Sequence, residues 1–256
     1  MKYPSLSACF RPVDGKEFYL LKELVPTGLS IDDNDMIQLL NTATTVSTKL
    51  FQYIDEETAK AIASDMDDEE PEAAPHDWKD YKGWWDATDV LGTSADNEQI
   101  PVGTAFLGNI SSGNSVSFLS SGEAPTASTS FTTDGNKYPF FGNYLPKQIP
   151  LKKIVPVGLD IDSNDMIQFL NPATTVSTKL FQYIGEEVAQ GIAADLDDEE
   201  PEEAPHNYLD YMGWWDATDV LGTSCDDEPI YAGTAFLGNI SSGNKIEFQF
   251  PSVLAD

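Results

Sequence analysis

The sequence predicts a mainly β protein, built as two tandem homologous β-sandwich-like domains, each with one short helix and a long acidic loop. Three observations predict it. Residues 21–118 align with residues 151–248 at a constant offset of 130 without a gap, and 72 of these 98 positions are identical. That is tandem duplication. Within each copy, short runs rich in β-branched and aromatic residues are punctuated by Pro, Gly and Asn, the pattern of short strands joined by turns. One stretch per copy carries helical spacing instead. The expected division is a first domain over 1–122, a linker over 123–136 and a second domain over 137–256.

The elements follow in order. "LKELVPTGLS" and its counterpart "LKKIVPVGLD" read as a short strand closed by a Pro/Gly turn, and "DMIQLL" or "DMIQFL" as the next strand. "TTVSTKLFQYI" is the longest alternation: Val46, Thr48, Leu50, Gln52 and Ile54 share one face, and Thr45, Ser47, Lys49, Phe51 and Tyr53 the other. "DEETAKAIASDM" then places Ala59, Ile62, Ala63 and Met66 on one face of a helix. Asp55 is its expected cap, with Glu56 and Glu57 at the positive end of the helix dipole. In the second copy the cap position is Gly185. The acidic, proline-containing stretch "DDEEPEAAPHDWKDYKG" reads as an exposed loop without regular structure. It leads into "GWWDATDVLGTS", which recurs unchanged from Gly213. Two final strands flank "GNISSGN", a hairpin signal.

Where the copies differ, they do so conservatively. Leu24/Ile154, Leu39/Phe169, Met66/Leu196 and Val116/Ile246 exchange one apolar side chain for another, as expected of core positions. The segment 119–136, "LSSGEAPTASTSFTTDGN", is rich in Ser, Thr, Gly and Pro and reads as the connection between units. The approaches to the two repeats both begin "KYP", then diverge, and the N-terminal one is five residues longer.

Composition excludes several classes of function. With 14 basic and 43 acidic residues the formal charge is −29, so phosphate-bearing partners such as nucleic acid are repelled. No apolar run approaches the roughly 20 residues of a membrane-spanning helix, so no membrane insertion is expected. The first residues lack the apolar region of an intact secretory signal. The two cysteines, Cys9 and Cys225, are far apart, and Ala95 stands where the first copy would match Cys225. A single bridge between them is one reading and two free thiols the other. No Cys/His pattern for zinc is present.

The candidate sites are acidic and aromatic. Asp32, Asp33 and Asp35, with Asp162 and Asp165 in the second copy, offer carboxylates at the alternating spacing that a calcium loop uses, though without the glycine and distal glutamate of an EF-hand. A turn before a strand accounts for the same residues. No other cofactor is suggested. His76 and His206 lie in the acidic loops with no nucleophile motif nearby, and carboxylate pairs such as Asp86 and Asp89 arise readily among 43 acids, so an enzyme is not expected. Trp84 and Trp85, with Trp214 and Trp215, are the candidates for an interface or a carbohydrate ligand. Adjacent strand residues point to opposite faces, so one of each pair should enter the core and the other stay at the surface.

The order of "LKxIVPxG", "DMIQxL", "FQYI", "GWWD" and "IxxGTAFLGNISSGNxxxF" resembles uncharacterised tandem β-domain proteins that bacteria export to the cell surface. The resemblance covers most of both units and implies an extracellular or cell-surface location, but no activity and no site residues. The expected function is a non-enzymatic structural protein whose copies assemble into a filament, tube or surface layer. In that picture the contact between its own two units repeats to the next molecule, and segment 1–20 adds a strand to a neighbour. The alternative is a secreted module pair that binds carbohydrate or calcium with avidity.

Overall fold

A computed structural model describes residues 5–7, 18–40, 47–101, 104–119, 128–133, 135, 137–143, 145, 147–170, 177–201, 205–252 and 254. The fold is mainly β, with two α-helices and several sheets. Each copy of the repeat contributes a five-stranded antiparallel sheet. In the first, the spatial order is Ser5–Ser7, Ala105–Asn109, Met36–Leu40, Ser47–Ile54 and Gly83–Asp86. In the second it is Phe140–Gly142, Ala235–Asn239, Met166–Leu170, Ser177–Ile184 and Gly213–Asp216. The register is the same in both: Gln52 faces Trp85 and Tyr53 faces Trp84, as Gln182 faces Trp215 and Tyr183 faces Trp214.

The second half of the long strand Ser47–Ile54, from Phe51 on, is buried or half-buried on both faces. Phe51 joins Trp84, Phe106, Ile37 and Tyr19 in the core on one side. Ile54 meets the helix Glu56–Glu69 on the other, through Ala59 and Trp85. Asp55 caps that helix by accepting from the Thr58 N–H at 2.8 Å. Gly185, before the second helix Glu186–Glu199, brings no side chain to the same task. Both helices run three residues beyond the expected apolar stretch, into the acidic run. The Asp67 carboxylate explains this extension, because it accepts from the His76 N–H at 2.7 Å and so pins the returning loop against the last turn. That loop is not wholly irregular either: Trp78–Asp80 and Tyr208–Asp210 form 3-10 turns.

The expected hairpin at "GNISSGN" does not form. Ala105–Asn109 pairs with Met36–Leu40 in the large sheet, whereas Ser117–Leu119 pairs with Val25–Thr27 in a separate ribbon. The buried carboxylate of Asp35 is the physical reason. It accepts from the Ser112 N–H at 2.9 Å and the Ser112 hydroxyl at 2.6 Å, and also from the Ser30 N–H at 3.1 Å. Asn114 adds a bond from Nδ2 to the Gly28 carbonyl at 3.1 Å. Together they turn the chain through a corner. Asp165, Ser242 and Asn244 repeat the arrangement.

The segment 123–136, expected as a linker, does more than connect. Its residues Thr129–Thr132 form a strand paired antiparallel with Glu247–Phe250, which in turn pairs with Val155–Val157. The last strand of the second copy is therefore central in a three-stranded ribbon. Its counterpart Ser117–Leu119 lies in a ribbon of two.

Candidate functional site

The repeated "GWWDATDVLGTS" is built into the fold rather than offered to a ligand. Trp84 is fully buried and its indole N–H donates to the Leu24 carbonyl at 2.9 Å. Its neighbour points to the other face as expected, yet the surface position expected for it is not what is found. Trp85 is 8% exposed, covered by Ile54, Ala59, Ile62 and Tyr81, with its N–H on the Tyr81 carbonyl at 2.9 Å. The helix covers the outer face of this half of the sheet, so both faces are interior. Trp214 and Trp215 match them, donating to Ile154 and Tyr211. Rings enclosed in this way are closed to stacking on a sugar.

The polar residues of the motif hold a tight turn. Asp86 accepts from the Thr88 hydroxyl at 2.6 Å and the Thr88 N–H at 2.8 Å, and these two bonds, the hydroxyl first, hold its carboxyl below the usual aspartate range. Asp89 accepts from the Thr93 hydroxyl. Leu91 takes a left-handed conformation at φ 66° inside the turn. At the start of the motif, Gly83 has φ 128°, and a Cβ there would lie 2.6 Å from Asp96 Oδ1, the atom that accepts from the Trp84 N–H. Only glycine serves at that position.

The acidic candidates are not brought together. Asp35 and Asp165 are 1% exposed and taken up by serine donors and, for Asp165, the Asp160 N–H as well, while Asp32, Asp33 and Asp162 lie at the surface of the turn. Asp33 pairs with the Ser30 hydroxyl at 2.8 Å, and Ser163 with Asp160 at 2.6 Å. Among the described residues no three metal-ligating side chains gather. His76 Nδ1 lies 2.7 Å from Asp67, and His206 Nδ1 2.8 Å from Asp197. The backbone N–H of each histidine, then its ring, holds the aspartate carboxyl low. Each pair fastens its loop to the last turn of the helix before it. Cys9 lies outside the described residues. Cys225 is a free, half-buried thiol, pushed up by burial and by Asp216 and Glu228, the opposite of an activated cysteine.

What the sequence did not signal is where the two copies touch. Ala105, Leu107, Phe140, Ala235 and Leu237 form one buried apolar cluster, with Leu40 and Tyr138 at its margin. On the strand Ala105–Asn109, Phe106 turns into the core of its own copy, and Ala105 and Leu107 turn outward to this cluster. Ala235 and Leu237 are their equivalents at offset 130. The contact thus joins like surfaces, the self-complementary kind that closes in pairs. The small ribbons lie outside this cluster. Val25, Val155 and Val157 are exposed there, Val157 by 52%.

No protein-family model, curated protein or solved structure matches the chain. Among the described residues no helix is long and apolar enough to cross a membrane.

Proposed function

We propose that this chain is a non-enzymatic structural protein of two tandem β-sandwich-like domains, one that assembles with copies of itself outside the cell or at its surface. The observation that carries this reading is that one repeat unit already binds another. The apolar cluster of Ala105, Leu107, Phe140, Ala235 and Leu237 is a homotypic contact made within one chain. Because that contact closes in pairs, growth beyond the chain has to use other surfaces, and the exposed valines and sheet edges of the ribbons are of the right kind. The use of the conserved-in-both-copies polar groups as turn and loop fasteners supports a scaffold rather than a catalyst.

The formal charge of −29 opposes self-association at neutral pH and low salt. Assembly should therefore rise with salt, with divalent cations, or as the pH falls toward the sequence pI of about 4.1. Negative-stain microscopy and sedimentation velocity across concentration, salt and calcium test the reading. Filaments, tubes or growing oligomers are expected; a monodisperse monomer under every condition overturns it. Saturable calcium or glycan binding by that monomer would favour the module-pair alternative.

A further inference from the structure

We infer that the outer edge of the strand Ser117–Leu119 is an acceptor site for an extended polypeptide strand in which hydroxyl-bearing residues surround a single aromatic, supplied by a second molecule. The second copy shows what such a site looks like when filled. There the equivalent strand holds Thr129–Thr132 along this edge, with Phe131 opposite Phe248. The Thr133 N–H donates to the Ile246 carbonyl at 2.9 Å, and the Ile246 N–H donates to the Thr133 hydroxyl at 3.0 Å. Phe131 stacks on Phe141 with ring centroids 5.0 Å apart, and Phe141 lies 4.3 Å from Phe248. Ile246 and Phe248 are both fully buried as a result.

In the first copy, no strand pairs with this edge among the described residues. The equivalent side chains, Val116 and Phe118, are only half-buried. The backbone is turned the right way as well. Phe118 faces Pro26 across the ribbon, and proline has no N–H to exchange. Antiparallel pairs alternate between bonded and non-bonded, so the N–H and C=O of Phe118 point to the open side. Phe248 faces Pro156 in the same manner and bonds outward to Phe131's strand.

Charge sharpens the contrast. Exposed edges are usually guarded by charged side chains. Here the covered edge is the guarded one, with Lys245 and Glu247, whereas the open edge reads Ser115, Val116, Ser117, Phe118, Leu119 without a charge. The open edge is thus built like one that is filled. Each chain holds two such acceptor edges and, among the described residues, one donor strand, already used by the second copy. The occupant assigned to the first is a strand of the same chemistry carried by another molecule, bound by β-augmentation. This extends the assembly reading, since a strand carried by a neighbouring molecule makes the contact intermolecular.

The test uses the full chain and a labelled peptide of residues 126–135, TASTSFTTDG. Saturable binding is expected, weakened at least about tenfold when the peptide carries Phe131→Ala. Amide hydrogen exchange should slow at Val116 and Phe118 on binding, with little change at Ser117, which already faces Thr27, and none at Phe248. A peptide that does not saturate, or that protects Phe248 by displacing the resident strand instead, overturns the site. Oligomers that form although the peptide fails to bind would remove this site and leave self-assembly standing. Binding to a chain that stays monomeric would do the reverse.

Discussion

The two copies share most of their residues and the same large sheet, yet among the described residues the last strand of one is a centre and that of the other an edge. Phe118 and Phe248 are the same residue at the same offset, both opposite a proline, and differ in burial: among the described residues Thr129–Thr132 lies beside only Phe248, and Phe141, which packs on it, has Leu6 as its counterpart. A side chain's environment is thus set by what the rest of the chain brings to it, and near-identity of sequence does not guarantee identity of surface. The comparison also separates what the repeat carries within itself, the tryptophan core and the Asp–Ser corner, from what it receives from outside.

The largest effect should test the shared part. Trp84→Ala and Trp214→Ala each remove a fully buried indole and leave a backbone carbonyl without its donor, at a cost of about 3–5 kcal/mol. Urea denaturation should give similar losses for both; a much smaller loss for one would mean the cores are not equivalent. The received part comes next. Phe131→Ala removes a partly buried ring and should cost about 1–3 kcal/mol. Amide exchange should quicken at Phe248 and stay unchanged at Phe118.

Acid should act on both copies through four equivalent carboxylates. Asp67, Asp197, Asp86 and Asp216 all have folded-state pKa values lowered by hydrogen bonds, from the histidine backbone N–H and ring in the first pair and the threonine hydroxyl and N–H in the second. A lowered folded value means the stabilisation is complete above the unfolded value near 4 and is lost as pH falls through the folded one. Melting temperature should hold down to about pH 4 and drop below it. Replacing both histidines by alanine should soften that drop by removing the ring's share, while the backbone bonds remain. The smallest effect concerns the caps. Gly185→Asp copies Asp55 into the second helix and should add about 0.5 kcal/mol, visible as a small rise in thermal midpoint.

Local pattern was sufficient for much of this. The long strand, the helix with its Asp55 cap and the strand "DMIQLL" are all legible because period and capping are properties of adjacent residues. What was hidden depends on residues distant in sequence. "GNISSGN" has the composition of a hairpin, and only a carboxylate 77 positions away, Asp35 reaching Ser112, turns it into a corner. Trp85 reads as a surface ring until the helix is laid over it. The strand Thr129–Thr132 has a linker's composition and takes its structure from a partner strand more than a hundred residues later. The tryptophans and Asp35 stand out in the sequence as candidates for an interface, a ligand or a metal, but a sequence cannot show that each is already hydrogen-bonded within its own fold.

The placement of Thr129–Thr132 also fixes where the chain can be cut. A fragment begun at Lys137, the natural choice from the sequence repeat, would strip a strand from the last ribbon, expose Ile246 and Phe248, and behave as a sticky half-molecule. Begun at Ser128 or earlier, the same fragment would carry its own cover. The strand that covers the last ribbon starts inside what looks like spacer.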